Sequence, residues 1–367
     1  MKVICNRGAL QEALGVAGTV VATRSPKPVL ACVKLSAEDG VLTVSATDLE
    51  VGIRYSDRQV QVEVPGATLV RADHLRDIVR ESVDDTVSIE RTGDTAVIRG
   101  NDSLFKIFTQ NADDFPPVGD FEGEPDFSVE AGTLKRMISQ TLFAAAREAS
   151  RYAFNGVLMV AKSKGVVFVS TDGRRLAQAK GDLSTAVAAK DGVRAIVPSK
   201  ALNLIDKLLG DPEELVAVQI KENRVMFKTS TAVLSSNLVE GQFPPYDEVI
   251  PKESDKKMAA PTAEFLSAIR RSALLTSEES KGVRLAFSKA GLVLTSRSPE
   301  SGEATVNFAC KFDGADVEIG FNPAFLVDAL RVTDTDEITL EMTTGNRPAL
   351  LKGGPNFQYV IMPVNLA

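Results

Sequence analysis

The residues best suited to chemistry lie in the segment 171–176, which reads TDGRRL. This segment places a carboxylate, Asp172, close to two guanidinium groups, Arg174 and Arg175. A hydrolase or transferase can use such an acid and arginine to move a proton and to bind an anionic group. The same residues also suit a tight turn after a strand, because Asp and Gly supply the turn geometry. Two interpretations therefore stand, an active-site loop and a turn without chemistry.

Other signs of catalysis are sparse. The single histidine, His74, lies in a predicted helix, where it is typical of a solvent-exposed side chain. The carboxylate pairs at 84–85 and 113–114 are adjacent residues in predicted turns, which face solvent. The sequence contains no G-x-x-x-x-G-K-[ST] phosphate loop, no G-x-S-x-G nucleophile segment and no H-E-x-x-H metal-binding pair. It predicts a protein that is not an enzyme and that needs no cofactor or metal.

The three cysteines, Cys5, Cys32 and Cys310, are far apart and include no C-x-x-C pair. Their odd number argues against a disulfide framework and against a Cys-rich zinc site, and it fits a reducing cytosol. The first residues turn polar at once, unlike a signal peptide, and no apolar run approaches the ~20 residues that span a bilayer. We expect a cytoplasmic protein without membrane contact.

Positive charge recurs on predicted helices, although the formal net charge is −7. Arg76 and Arg80 share one helix face, and Lys200 and Lys207 share a face of another. Such pairs are typical of solvated helix surfaces. If the helices of several repeats face one way, the same residues form a basic surface that binds phosphates without reading base sequence.

The elements that position these residues repeat along the chain. A glycine that leads an apolar strand occurs at 40–45, 165–170 and 291–296, at a nearly constant spacing, and a Phe-Pro-Pro turn occurs at 115–117 and 243–245. A period of this size predicts three similar domains rather than a solenoid of short repeats. Two helices and antiparallel strands are predicted in each repeat, which indicates an α+β fold.

The length of 367 residues, 44% of them hydrophobic, suffices for three separate cores. Two segments of low periodicity, 111–126 and 251–260, are the predicted linkers. They divide the chain into domains at 1–121, 122–250 and 251–367.

The segment 360–366 is an apolar tail, VIMPVNL. It suits a last strand that buries its side chains, and it equally suits the rim of an apolar groove for a partner peptide. Both interpretations stay open at this stage.

Eight segments together resemble one known family, the bacterial DNA polymerase III beta subunits, or sliding clamps, and the resemblance covers essentially the whole chain. These segments are PVL at 28–30, TDLE at 47–50, RYAFNG at 151–156, TDGRRL at 171–176, FPPY at 243–246, KGVRL at 281–285, IGFN at 319–322 and YVIMP at 359–363. The resemblance implies three DNA-clamp domains and a head-to-tail homodimeric ring that encircles double-stranded DNA independently of its sequence. It implies that the ring tethers DNA polymerase III and other clamp-binding proteins, and that a separate clamp loader places it on DNA. The alternative is a monomeric peptide-binding scaffold that does not encircle DNA.

The resemblance also implies three sets of site residues. The peptide-binding groove matches Phe154, Thr171, Gly173, Arg175, Leu176, Pro244, Val249, Asn322, Phe325, Pro348, Val360, Met362, Pro363 and Leu366. The DNA contacts match Arg24, Arg80, Arg151, Tyr152, Lys200 and Lys207. The dimer interface matches Phe105 and Ile107 of one protomer against Leu274 and Leu275 of the next.

Five positions depart from the family pattern. Glu248 stands where well-known members carry arginine, Ser280 where they carry an aromatic residue, and Asp73 and Asn365 where they carry basic residues. Ala367 extends the usual end by one residue. These departures bear on peptide preference and DNA contact rather than on the fold.

Overall fold

The same order of elements occurs three times in this computed structural model, which describes residues 1–22, 25–146, 153–276 and 282–365. Each repeat has an opening strand, a helix, a run of strands, a second helix and three closing strands. The first repeat consists of β1 (Lys2–Asn6), α1 (Arg7–Gly18), β2 (Cys32–Glu38), β3 (Val41–Thr47), β4 (Val51–Asp57), β5 (Val60–Val64), β6 (Gly66–Arg71), α2 (Ala72–Glu81), β7 (Thr86–Thr92), β8 (Thr95–Arg99) and β9 (Leu104–Gln110). The predicted three-fold α+β organisation is confirmed.

The second and third repeats follow the same order. The second consists of β10 (Phe127–Glu130), α3 (Ala131–Leu142), β11 (Gly156–Lys162), β12 (Gly165–Thr171), β13 (Arg175–Asp182), β14 (Val193–Pro198), α4 (Ser199–Leu208), β15 (Leu215–Lys221), β16 (Arg224–Lys228) and β17 (Ala232–Asn237). The third consists of β18 (Lys256–Pro261), α5 (Thr262–Ser272), β19 (Val283–Ser288), β20 (Gly291–Ser298), β21 (Gly302–Phe308), β22 (Lys311–Asp313), β23 (Val317–Phe321), α6 (Pro323–Arg331), β24 (Glu337–Met342), β25 (Ala349–Lys352) and β26 (Phe357–Ile361).

Helix α1 shows why these helices form where they do. The Asn6 side chain accepts a hydrogen bond from the Ala9 amide at 3.0 Å, which satisfies one of the free N–H groups at the helix start. Leu10, Leu14 and Ala17 are buried at helical spacing and so form one apolar face. In the part of the chain that the structure describes, no helix is long and apolar enough to cross a membrane.

One compact unit comprises residues 1–132, 184–189 and 200–238. Its strands form one 13-stranded sheet in the order β10-β15-β16-β17-β4-β3-β2-β6-β9-β8-β7-β1-β5. Strand β4 of the first repeat pairs antiparallel with β17 of the second. The sheet of the first repeat therefore continues into the closing strands of the second.

The other compact unit comprises residues 133–183, 190–199 and 239–367. It contains a nine-stranded sheet, β14-β11-β12-β13-β26-β25-β24-β18-β22, and a four-stranded sheet, β21-β20-β19-β23. Here β13 of the second repeat pairs antiparallel with β26 of the third. A cluster that includes Phe265, Phe287, Phe321 and Tyr359 fills its core.

The second predicted linker, 251–260, is a strand in its last part, because β18 begins at Lys256. Met258 and Ala260 are buried, and the residues between and beside them are more exposed. Two buried positions among Lys and Asp residues are a weak alternation signal, whereas pairing with β24 and β22 makes the strand stable.

Candidate binding surfaces

The segment 171–176 forms a closed loop between β12 and β13. The Thr171 hydroxyl donates to the Arg175 carbonyl at 2.6 Å and accepts from the Gly173 amide at 3.1 Å. Asp172 Oδ1 accepts from the amides of Arg174 and Arg175 at 2.9 and 3.1 Å. Gly173 has a φ of +84°, in the region that favours glycine. The residue types of this segment are therefore explained by the turn that they build.

The Arg175 guanidinium connects this loop to two helices. Its Nε donates to Asp172 Oδ2 at 2.9 Å, its Nη1 to Asp328 Oδ2 on α6 at 2.8 Å, and its Nη2 to the Phe143 carbonyl after α3 at 2.8 Å. The guanidinium carbon lies 4.3 Å from the centre of the Phe325 ring, a cation–π contact. Burial alone would lower the pKa of Arg175, but the hydrogen bond to Asp328 and the charge of Asp172 leave that pKa raised. Arg175 is thus a positioning residue that holds the loop against the helices.

A buried apolar cluster lies beside the loop. It contains Leu158, Val169, Leu176, Phe243 and Val360, and the last of these is the cross-strand partner of Leu176. The resemblance assigns Leu176 and Val360 of this cluster to the groove, and the other three residues pack against them. Leu158 and Val169 belong to the apolar runs of β11 and β12, which the sequence shows.

The predicted groove residues divide into a buried floor and a more exposed rim, and all of those described belong to one compact unit. The floor residues are Thr171, Leu176 and Val360. The rim residues, half-buried or exposed, are Phe154, Gly173, Arg175, Pro244, Val249, Asn322, Phe325, Pro348, Met362 and Pro363. Three positions, Leu366, Ser280 and Ala367, lie outside the described residues.

The C-terminal tail is held on two sides after β26. The Met362 amide donates to the Arg174 carbonyl at 3.0 Å, and the Val364 amide donates to the Gly320 carbonyl at 2.8 Å. Val360 is buried as a strand residue should be, whereas the Met362 side chain is 39% exposed. The tail therefore ends a sheet and also leaves an apolar side chain at the rim.

The predicted DNA-contact residue Arg80 is an exposed side chain on α2. It pairs with Asp77 at 3.2 Å and with Glu81 at 2.9 Å. These neighbours offset part of its positive charge, so its attraction for phosphate is weaker than that of a free arginine.

Lys200 and Lys207 are exposed on α4. The Lys200 ammonium pairs with the Asp48 carboxylate of the first repeat. Lys207 has no carboxylate within ion-pair distance among the described residues and keeps its full charge. The remaining predicted DNA-contact residues, Arg24, Arg151 and Tyr152, lie outside the described residues.

The predicted interface residues include two exposed apolar side chains. Phe105 on β9 is 42% exposed, and Leu274, just after α5, is 77% exposed, whereas Ile107 and Leu275 are half-buried. Sequence reasoning missed Phe108 on the same strand, which is 83% exposed. Up to Phe108, β9 pairs only with β8, and β21 pairs only with β20, among the strands that the structure describes. Unpaired strand edges are templates for pairing with another chain.

Three of the departures from the family pattern fall on residues that the structure describes, and all three lie at the surface. Glu248 and Asn365 are exposed. Asp73 pairs with Arg71 at 2.5 Å, and this hydrogen bond lowers the pKa of Asp73 to about 2. The acid that replaces a basic residue on α2 is therefore itself neutralised by a neighbour.

Family models match the chain in three consecutive segments. The N-terminal domain of the DNA polymerase III beta subunit matches residues 1–119, the central domain 128–245 and the C-terminal domain 247–365.

Known proteins resemble the chain over its full length. The beta sliding clamp of Pseudomonas putida is 32% identical over 98% of both chains, and that of Escherichia coli K12 is 30% identical over the whole of both. Among solved structures, the DNA polymerase III subunit beta of Pseudomonas aeruginosa covers both chains completely with a TM-score of 0.94 at 31% identity. The DNA polymerase sliding clamp of Bacillus subtilis does so with a TM-score of 0.95 at 27% identity. The chain therefore belongs to the DNA polymerase III beta subunit family.

Proposed function

We propose that the chain is a DNA sliding clamp, a processivity factor for replication. Two copies close head to tail into a ring around duplex DNA, and the ring tethers DNA polymerase III and other replication and repair proteins. The observation that carries this proposal is the match of all three repeats, in order and nearly without gaps, to the three domains of one family. In the proposed dimer, three similar domains from each protomer close into a ring of six.

The domains of the proposed ring are 1–121, 122–250 and 251–367, three in each protomer. Their helices line the hole and their sheets form the outer wall. A net charge of −7 does not exclude a basic lining, because a global charge does not determine where the charged residues lie.

The dimer interface joins β9 of one protomer to the third repeat of the next. Its support is the exposure of Phe105 and Leu274 together with the unpaired edges of β9 and β21. Burying one such side chain contributes about 1.5–3 kcal/mol, and pairing the two edges satisfies their free backbone groups.

DNA contact in this proposal is electrostatic and independent of base sequence. Lys207 on α4 supports it most directly, because its charge is free among the described residues. Lys200 and Arg80 contribute less while they pair with carboxylates. Diffuse phosphate contact suits a ring that slides.

The partner groove takes a short apolar peptide. Its support is the buried cluster around Leu176 and Val360 beside the exposed apolar side chains of Met362 and Val249. An apolar floor with a few polar groups at the rim is the usual composition of such a site.

The clamp performs no chemistry of its own in this proposal. Both carboxylate oxygens of Asp172 accept hydrogen bonds from the loop's own donors, which supports a structural role. Since the sequence has no nucleotide-binding motif, a separate ATP-driven loader opens the ring. We place the protein in the cytoplasm, where its cysteines stay reduced; all three are free thiols.

The test is retention on DNA of different topology. Loaded protein should stay on closed circular DNA through gel filtration and leave after one restriction cut. Equal retention on circular and linear DNA with free ends would contradict a topological tether. A persistent monomer at micromolar concentration that still binds the polymerase peptide would favour the monomeric scaffold.

A further inference from the structure

The loop beside the groove has a second copy in the first repeat. The Thr47 hydroxyl donates to the Val51 carbonyl at 2.9 Å and accepts from the Leu49 amide at 3.0 Å. Asp48 Oδ1 accepts from the amides of Glu50 and Val51 at 3.1 and 2.8 Å. Leu49 has a φ of +80°, like the glycine at the corresponding position of the second repeat. The hydrogen bonds of 47–51 thus match those of 171–175 position by position.

The sheet around this loop is also duplicated. Gly52 pairs with Ser235 across β4 and β17, as Leu176 pairs with Val360 across β13 and β26. A Phe-Pro-Pro turn follows each copy, at Phe115 in the first case. The scaffold of the proposed groove therefore occurs a second time, wholly within the first compact unit.

The lining of the second copy has the opposite chemistry. Lys34 faces Ser45 across β2 and β3, and Ser36 faces Thr43 in the same hairpin. The strand registers place these four residues at the positions of four apolar residues in β11 and β12, namely Leu158, Val169, Val160 and Val167. One amine and three hydroxyls thus replace an apolar floor.

This lining surrounds a cavity of about 290 Å³ under the turn at Pro116 and Pro117. A Cβ added at Gly52 would lie 2.8 Å from Val118 Cγ1, so Val118 occupies the space into which a leucine would project. On the other side of Val118 lies a smaller cavity of about 180 Å³, which Arg224 also lines. Two cavities thus flank Val118 in the first repeat, where the second repeat has the side chain of Leu176.

The floor of the larger cavity carries two cationic side chains, Lys34 and Arg54. Lys34, Ser45 and Arg54 are neighbours across three strands. Arg54 pairs with Asp120 at 3.2 Å, whereas the Lys34 ammonium has no carboxylate within 4.0 Å among the residues described. The acid of the lining, Glu38, lies four residues along β2, so its Cα is about 13 Å from the Cα of Lys34.

We propose that this cavity binds a carboxylate side chain of an acidic peptide segment. The Lys34 ammonium forms an ion pair with the carboxylate, and the hydroxyls of Ser36, Thr43 and Ser45 donate hydrogen bonds to it. Charge-assisted hydrogen bonds of this kind are about twice as strong as neutral ones. The clamp then carries two grooves on one scaffold, one for an apolar peptide and one for an acidic peptide.

The probe is fluorescein-labelled hexaglutamate, titrated with the full-length protein at low salt and followed by anisotropy. Wild-type protein should bind saturably, and Lys34→Met should weaken binding about tenfold, the loss expected for one charge-assisted contact. Lys34→Arg keeps the charge and should keep most of the affinity. The matched control is Lys162→Met, an exposed lysine of β11 in the other compact unit, and it should bind like wild type.

Four results would overturn the proposal. The first is the absence of saturable binding to wild type at millimolar protein, and the second is equal affinity of wild type and Lys34→Met. The third is displacement of hexaglutamate by the apolar polymerase peptide, which would place the probe in the second-repeat groove. Inorganic phosphate that binds in a Lys34-dependent manner, without any hexaglutamate binding, would show an anion site and refute the peptide site. None of these results depends on whether the ring encircles DNA.

Discussion

Arg175 and Asp328 are 153 residues apart in the sequence, yet their side chains form a hydrogen-bonded ion pair at 2.8 Å. The pair joins the loop at the partner groove to α6, which begins after Asn322, itself a predicted groove residue. The Asn322 side chain accepts from the Ala324 amide at 3.0 Å and so fixes the helix start. The rim of the proposed groove is therefore built on a helix that Arg175 holds in place.

Replacement of Arg175 should destabilise the fold. Its side chain is only 11% exposed, and the shorter, single ammonium of Arg175→Lys cannot reproduce the three directed hydrogen bonds of the guanidinium. We expect the free energy of unfolding to fall by about 1.5–3 kcal/mol, the usual contribution of a hydrogen bond to a charged group. Urea unfolding followed by circular dichroism measures this change.

The matched control is Arg174→Lys, because Arg174 is the exposed neighbour in the same loop. Its effect should stay within about 0.5 kcal/mol, as for ordinary surface substitutions. Equal unfolding midpoints for the two variants would show that Arg175 does not position the loop.

Met362→Ala should weaken peptide binding. Met362 is the exposed apolar residue that follows β26, and full burial of a methionine stabilises a complex by about 1.5–3 kcal/mol. We expect the Kd of a DNA polymerase III clamp-binding peptide to rise at least about tenfold in a fluorescence titration. Leu215→Ala, which trims an exposed leucine in the other compact unit, should leave the Kd unchanged. If both variants bind like wild type, the groove does not use the tail.

Leu274→Asp should separate the protomers. A charge at a side chain that is 77% exposed in the protomer costs little there, but its burial in an interface without a partner is strongly unfavourable. Light scattering should show a fall from twice the protomer mass to 39.3 kDa. Val83→Asp makes the same change at a valine that is 80% exposed and not among the predicted interface residues, and this variant should stay dimeric. If the Leu274→Asp variant remains a dimer, Leu274 does not lie in the interface.

Alkaline pH should destabilise the protein partly through Cys5. Burial raises the pKa of this thiol to about 12, whereas an unfolded thiol has a pKa of about 8.5. The folded state keeps the proton that the unfolded state releases, so the stabilising effect is complete below about pH 8.5 and declines as the pH rises toward 12. The contribution is about 1.4 kcal/mol per pH unit over that interval.

The measurement compares the free energy of unfolding of wild type and Cys5→Ala between about pH 6 and pH 10. This range brackets the pKa of a thiol in the unfolded chain. The two curves should run parallel at the acid end and converge at the alkaline end, because the variant lacks the titrating thiol. Parallel curves throughout would mean that the Cys5 thiol is not held protonated by the fold.

Local sequence was sufficient to predict the elements that nearby residues stabilise. The turn at 171–176 follows from Asp and Gly in sequence, and the three-fold order of helices and strands follows from the repeated pattern. The strand β18 was missed because its stability comes from its neighbours β22 and β24, which occur much later in the chain.

The sequence by itself determined the three repeats, their α+β content and the family of the chain, because these depend on periodicity and on residue order. Tertiary structure alone decided which side chains surround each copy of the repeated loop. The loops at 47–51 and 171–175 have the same hydrogen bonds, but strands that are distant in sequence place Ser235 beside the first and Val360 beside the second. Which side chains meet at a loop is set by strand pairing over more than a hundred residues, and local residue patterns carry no information about such pairing.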